Sequence, residues 1–377
     1  MSGTGAGRMV LARKEGWLEY VRAPPRTPPD RLGRHALARL GPEARGEYDL
    51  ARRVWHANIG PLKTPQMAAV HEDLQEIIDS NVHDSDKVKG AAAIDAFPGL
   101  GKTTTALTFA RQFHRREASG HGVLTPDGCE HLPVCRVSLS AGTTIKALNQ
   151  AILGFYAHPA TGRYGKSTTG QLASQALDCI LSCATRLVVV DDVHFLDMRR
   201  RDGIEVSNHL KWLASEFPVT FLFAGVSLRE RGLMSEGMTA AEQASAQTAR
   251  RWTRLTLDPF TIGDEPGRRQ WRSLLLAIEK HLILADAHPG MLADDLAGYL
   301  FARTTGHIGS LMTLVNRGAR RAIRRGAEAL TADLLDTVKI DEAAEQARAQ
   351  IQAALDSGRL TARPRNLRRP SAGAGAS

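Results

Sequence analysis

Residues 96–113 read AFPGLGKTTTALTFARQF, and the interpretation of the chain turns on whether this is a loop that holds phosphate. It follows an apolar run, GAAAID (90–95), and Lys102 opens a stretch of helical character, so the loop stands between an expected strand and an expected helix. That is the setting of a Walker A motif, in which backbone amides converge on phosphate and the helix N-terminus adds its dipole. Ala96 stands where the usual pattern has its first glycine, a position that supports the turn. Gly99 and Gly101 keep the bare backbone where the amides must converge. On this reading Pro98, Gly99, Leu100, Gly101, Lys102, Thr103 and Thr104 cradle ATP; Lys102 neutralises the β- and γ-phosphates and the Thr103 hydroxyl ligates Mg2+. An ordinary glycine turn is the alternative, and the downstream sequence weighs against it.

Downstream, RLVVVDDVH (186–194) is four apolar residues, Leu187 to Val190, ending in Asp191 and Asp192. In a parallel sheet the strand C-termini form one edge, so Asp191 is expected to reach the magnesium beside the loop and Asp192 to polarise the attacking water. Most ATPases of the relevant class carry glutamate at the second position. An acid one methylene shorter reaches less far, which points to slow turnover. His194 either orients solvent or is structural.

Of 377 residues, 43% are hydrophobic, enough for a sizeable core and two domains. Lys and Arg outnumber Asp and Glu by 49 to 40, a net charge of +9 that favours polyanionic partners as a starting point only. No apolar run has membrane-spanning length and the start lacks the uncharged core of a signal peptide, so a soluble cytoplasmic protein with no membrane partner is expected. The four cysteines do not make a disulfide framework. Neither Cys129, His131 and Cys135 nor Cys179 with Cys183 has compact double-CxxC zinc spacing, so no cysteine metal site is expected and the thiols read as buried or incidental.

Residues 1–63 interrupt any apolar period with prolines and arginines and read as a flexible basic extension. From Thr64-Pro65 a helix is expected, with apolar residues Met67, Val70, Leu74, Ile77 and Ile78 on one face. Five β-type runs follow, VKGAAAIDA, LPVCRVSL, RLVVVDDV, FPVTFLFAG and RWTRLTL. They alternate with helical segments at 102–115, 143–153, 169–184 and 202–216, and 116–132 reads as a surface loop. Such alternation implies an α/β fold with a parallel sheet covered on both faces. The core is expected over 64–260, a helical lid over 261–356 and a disordered basic tail over 357–377.

With these motifs placed, the chain resembles an AAA+ ATPase of the transposition-regulator group, similar to TniB and TnsC. The resemblance rests on AFPGLGKTT, LVVVDDVHFL, VSNHLKWLASEFP, VTFLFAGVSL, ARRWTRLTLDPF and TTGHIGSLMTLVNRGARRAI, and covers roughly Thr64 to Val338. It implies an AAA+ P-loop NTPase fold with a five-stranded parallel sheet and a small C-terminal helical lid. It further implies a homo-oligomer in which a neighbour completes each ATP site, and ATP-bound subunits that assemble on duplex DNA for a partner transposase, with a target-selector protein as a further partner. Within ARRW it places an arginine finger at Arg250 or Arg251, and it places the first sensor at Ser227. The common pattern has a lid arginine where this chain has Gly309 and Ser310, which leaves the second sensor undefined.

In ring or spiral assemblies the channel loops follow the second strand and the acid-bearing strand. Here those are SLSAGTTIKAL, with Thr143, Thr144 and Lys146, and DMRRRDG, with Arg199, Arg200 and Arg201. Hydroxyls and cations suit a sugar-phosphate backbone, although a solvated charge run reads the same way. The first loop has no aromatic residue, which argues against an unfoldase. Arg317, Arg320, Arg321, Arg324 and Arg325 form a further basic cluster on a lid helix, read either as an exposed face or as a DNA contact. Two other readings stay open: a nucleotide-switched signalling ATPase that does not bind DNA, and a helicase- or replication-loading ATPase.

Overall fold

The computed structural model describes residues 9–83, 90–140, 143–159, 167–193, 208–210, 212–213, 216–228 and 252–365. The chain forms two compact units. One comprises residues up to Pro24 and Gln66–Asp258, the other Pro25–Pro65 and Pro259 onward.

The first unit is built on β1 (Ala91–Ala96), β2 (Val134–Ser138), β3 (Leu187–Asp191), β4 (Thr220–Gly225) and β5 (Trp252–Leu257), in the order β2-β3-β4-β1-β5. Every pairing is parallel. The three inner strands are buried at every residue, as expected of runs covered on both faces, whereas the edge strands β2 and β5 expose residues to solvent. Each strand lies inside one of the five apolar runs. In this order β4 separates β1 from β3, and the C-terminal ends of β1 and β3 open onto the same edge. That edge is where open α/β sheets take their ligands.

The helices α1 (Lys14–Arg22), α4 (Pro65–His83), α5 (Lys102–His121), α6 (Ile145–Phe155) and α7 (Thr169–Ser182) belong to this unit; α2 (Arg34–Ala38) and α3 (Pro42–Trp55) belong to the second. Thr168 begins α7 with a capping box, its hydroxyl taking the Gln171 N–H while the Gln171 amide takes the Thr168 N–H. Helix α5 runs six residues past the expected end at Arg115, absorbing the start of the expected loop, and stops at Gly122, whose φ is +86°. Phe109, Phe113 and Glu117 are buried on its inner face, so tertiary burial carries the helix through Ser119 and Gly120. Of the helix expected over 202–216, only 208–210, 212–213 and 216 are described, and all are helical.

Residues 9–63 depart from a flexible extension. Helix α1 buries Trp17 completely, and Val21 nearly so, in the core of the first unit. The Trp17 indole donates to His114 Nδ1 at 3.1 Å, Arg115 Nε donates to the Val21 carbonyl at 2.7 Å, and Arg13 donates to the Gly154 carbonyl at 2.8 Å. Composition hid this because the anchoring side chains are few and stand among prolines and arginines.

The second unit contains α2 (Arg34–Ala38), α3 (Pro42–Trp55), α8 (Glu265–Glu279), a π-helical turn (Met291–Asp295), α9 (Ala297–Thr304), α10 (Ile308–Arg325), α11 (Ala332–Asp336) and α12 (Glu342–Asp356). Its helical character matches the expected lid, but its core also takes Trp55, Ile59 and Leu62 from the N-terminal segment. Arg52, fully buried, forms ion pairs with Glu328 at 2.6 Å and Asp49 at 2.5 Å. The expected tail is packed in its described part: Ala362 is buried and Arg363 donates to the Asp294 carbonyl.

Candidate nucleotide site

The loop from β1 to α5 has the backbone a phosphate cradle needs. Gly99 and Gly101 have φ of +78° and +86°, a region that other residues enter at a cost. A Cβ built on Gly99 would meet no protein atom within 4 Å, so the space over the loop is open. Gly101 is the N-cap of α5, and Lys102, Thr103 and Thr104 make its first turn, where backbone N–H groups lack helical partners. Lys102 Nζ donates to the Phe97 carbonyl at 3.0 Å. Burial lowers the pKa of the Lys102 ammonium below the ordinary lysine value, against the carboxylates of Asp191, Asp192 and Asp95, which pull it upward.

The structure brings Thr103 and Asp191 together. Thr103 Oγ1 donates to Asp191 Oδ1 at 3.3 Å across the gap between α5 and the end of β3. The same Asp191 oxygen takes the Asp192 N–H at 3.0 Å, and Oδ2 takes Arg136 from β2 at 3.2 Å. Neighbouring oxygens in an Mg2+ octahedron of about 2.1 Å radius lie about 3 Å apart, so a hydroxyl and a carboxylate at this separation fit two cis ligand positions. The donor set is all oxygen, as Mg2+ requires.

Asp192 has φ of +61°, the left-handed region, and accepts the Ser138 hydroxyl at 3.0 Å. A non-glycine residue held there is strained, and such strain clusters at functional sites. The turn sets the side chains of two consecutive acids to different work. Asp191 is buried against Thr103 and Arg136, while Asp192 is partly exposed above Ser138.

Three further residues at this edge escaped the sequence reading. Asp95, buried at the end of β1, takes the Leu228 N–H at 2.9 Å and Arg254 Nε from β5 at 2.9 Å. It therefore ties the strand that enters the phosphate loop to the turn holding Ser227, whose φ is +52°. Arg136 neutralises Asp191 from β2. The available signal was a lone charge inside an otherwise apolar strand, as in AAAIDA and VCRVS, since a buried charge requires a partner.

Thr143, Thr144 and Lys146 lie around the start of α6. The Thr144 hydroxyl caps that helix by accepting the Ala147 N–H at 3.2 Å, and the Thr143 hydroxyl donates to the Ser140 carbonyl at 2.6 Å. Both hydroxyls therefore have local structural partners. His194, Arg199, Arg200, Arg201, Arg250 and Arg251 lie outside the described residues.

Comparison with known proteins agrees with this architecture. An AAA domain family model matches residues 85–233. The structure of the Aeropyrum pernix ORC1 protein in complex with DNA is 19% identical with a TM-score of 0.52, covering 81% of this chain and 71% of that one. The Aeropyrum pernix ORC2 protein in its ADPNP-ADP complexes is 16% identical with a TM-score of 0.55, covering 76% and 71%. Drosophila ORC bound to DNA is 17% identical with a TM-score of 0.51, covering 91% and 75%. By sequence, no curated protein matches. The fold is that of an AAA+ P-loop NTPase. The match is to the AAA domain in general, a broader class than the transposition-regulator group that the motifs resemble.

Proposed function

We propose that the protein is an ATP-dependent AAA+ ATPase that assembles on duplex DNA, and that it regulates transposition by presenting target DNA to a transposase. The observation that carries the nucleotide part is the Thr103–Asp191 pair at the open edge of the sheet, beside Lys102 and the positive-φ glycines. In this reading Lys102 and the first-turn amides hold the phosphates, and Thr103 and Asp191 hold Mg2+, which supplies charge neutralisation on the transferred phosphoryl group. Asp192 orients and deprotonates water, held by the Ser138 hydroxyl. Arg250 or Arg251 acts on a neighbouring subunit's nucleotide, and hydrolysis dismantles the assembly.

The DNA part is supported by the basic balance of the chain and by the candidate channel residues Thr143, Thr144, Lys146 and Arg199 to Arg201. The transposition part is supported by the motif resemblance. A replication-initiator role is the second reading, favoured by the likeness in fold to ORC proteins, two of them in structures with DNA.

Lys102→Ala is expected to lose binding of a fluorescent ATP analogue while keeping the wild-type circular dichroism spectrum. Asp192→Asn is expected to keep binding and to hydrolyse roughly 10²–10⁴-fold more slowly, the usual worth of a general base. Polarisation of labelled duplexes of unrelated sequence, with and without ATP, tests the assembly. Unchanged affinity in Lys102→Ala, or duplex binding indifferent to nucleotide, would remove this reading. Stimulation of ATPase activity by a transposase encoded beside this gene would separate transposition from replication initiation.

A further inference from the structure

Helix α10 of the second unit carries five arginines in its C-terminal half, Arg317, Arg320, Arg321, Arg324 and Arg325, and no acid anywhere between Ile308 and Arg325. Its buried stripe of Leu311, Val315, Gly318, Ala319, Ala322 and Ile323 faces the core of the unit. At 100° per residue, Arg317, Arg320, Arg321 and Arg324 fall within one stripe on the opposite side. From Arg317 to Arg324 the helix rises about 10 Å.

Several buried or half-buried arginines of this unit are held by carboxylates. Arg52 is paired with Asp49 and Glu328, Arg268 with Glu265, Arg272 with Asp294, and Arg303 with Asp336 and Glu345. On α10, Arg317 donates to the Lys339 carbonyl and Arg321 to the Thr337 carbonyl, contacts that order the 337–339 segment but neutralise nothing. Arg320, Arg324 and Arg325 are exposed and make no ion pair among the described residues. A helix C-terminus favours some positive charge through its dipole, but that effect fades within the last turn and does not account for Arg317 or Arg320.

The apolar side of α10 is consumed by the core, so the helix has no face to lay into a bilayer. None of the exposed large hydrophobic side chains among the described residues lies on it, so it offers a protein partner no apolar anchor. What remains is a row of guanidinium groups, the fork that suits phosphate oxygens. We propose that this face of α10 is a phosphate-backbone contact for duplex DNA, a second contact point in addition to the loops of the nucleotide-binding unit. It rests on the DNA-binding reading given above.

The experiment measures duplex affinity across a salt series, with ATP, for wild-type protein, for Arg320→Ala with Arg324→Ala, and for Arg320→Lys with Arg324→Lys. Both positions are exposed and unpaired, and neither is placed at the nucleotide site, so DNA-free ATP hydrolysis is expected to be unchanged. Each phosphate contact contributes about 0.9 to the slope of log K against log salt, so the alanine pair is expected to reduce the slope by about 2 and the lysine pair to restore most of it. A wild-type slope in the alanine pair overturns the α10 contact while leaving DNA binding intact. Wild-type protein that binds no duplex at low salt overturns both. Loss of affinity at an unchanged slope, or a lysine pair that behaves like the alanine pair, also overturns the phosphate contact.

Discussion

Both arms of the N-terminal segment bury an indole, Trp17 in one unit and Trp55 in the other, but the second arm adds a network of buried charge. Residues 9–24 join the nucleotide-binding unit through a buried indole, with Trp17 fully enclosed and bonded to His114. Residues 25–65 join the helical unit through Trp55, Ile59 and Leu62 in its core and also through buried charge, with Arg52 and Glu328 both almost wholly removed from solvent. Glu328 also accepts the Ala285 N–H and pairs with Arg45, at a left-handed φ of +56°. The first arm behaves as ordinary core. The second combines ordinary core with a charged network whose members depend on one another, because a buried charge that loses its partner retains its desolvation cost.

The contrast sets the order of expected effects. Glu328→Ala leaves the buried Arg52 with Asp49 alone among its described counter-ions and should destabilise the helical unit by about 3 kcal/mol, read as a lowered denaturant midpoint with the nucleotide-binding unit unaffected. Trp17→Ala should cost the nucleotide-binding unit about 3 kcal/mol, as truncation of a fully buried aromatic does. If both variants melt both units together, the arms are not separate devices. Replacing both partners, Arg52→Met with Glu328→Gln, should cost less than half of what Glu328→Ala costs, since no unpaired charge is left between them. An equal or larger loss would show that the network acts through its hydrogen bonds to Asp49 and the Ile283 carbonyl instead.

Acid should act on both arms in the same direction. Burial is the main cause that lowers His114 and His56 from the ordinary 6.5 to about 4. Each folded-state pKa lies below the unfolded one, so between these values the unfolded chain binds more protons. The stability is present in full above pH 6.5 and is lost as pH falls toward 4. Unfolding free energies measured across that window should decline in wild type, and His114→Gln should flatten the decline for the nucleotide-binding unit. An unaltered decline would place the acid sensitivity elsewhere.

The strands were readable because inner strands of a parallel sheet are continuous apolar runs, and the phosphate loop because its glycines, lysine and threonine stand at fixed offsets. Asp191 was readable as the polar end of such a run. Asp95 and Arg136 were not, since each is a single charge whose meaning depends on a partner brought near only by strand order. The N-terminal arms were misread for a related reason. Arg52 counts as polar in any hydropathy pattern, yet it is among the most buried side chains of the helical unit because Glu328, 276 residues away, neutralises it.

That separation has a consequence for the growing chain on the ribosome. At roughly 5–20 residues per second, Arg52 waits about 14–55 s after its own synthesis before Glu328 is made. During that interval the nucleotide-binding unit, complete at Asp258, can close around Trp17, but residues 25–65 have no finished core to enter. Trp55, Ile59 and Leu62 therefore spend that time as exposed apolar chain. A nascent chain of that length holds one unit whose residues are all present and an apolar segment whose core is not yet made, the kind of surface that chaperones bind.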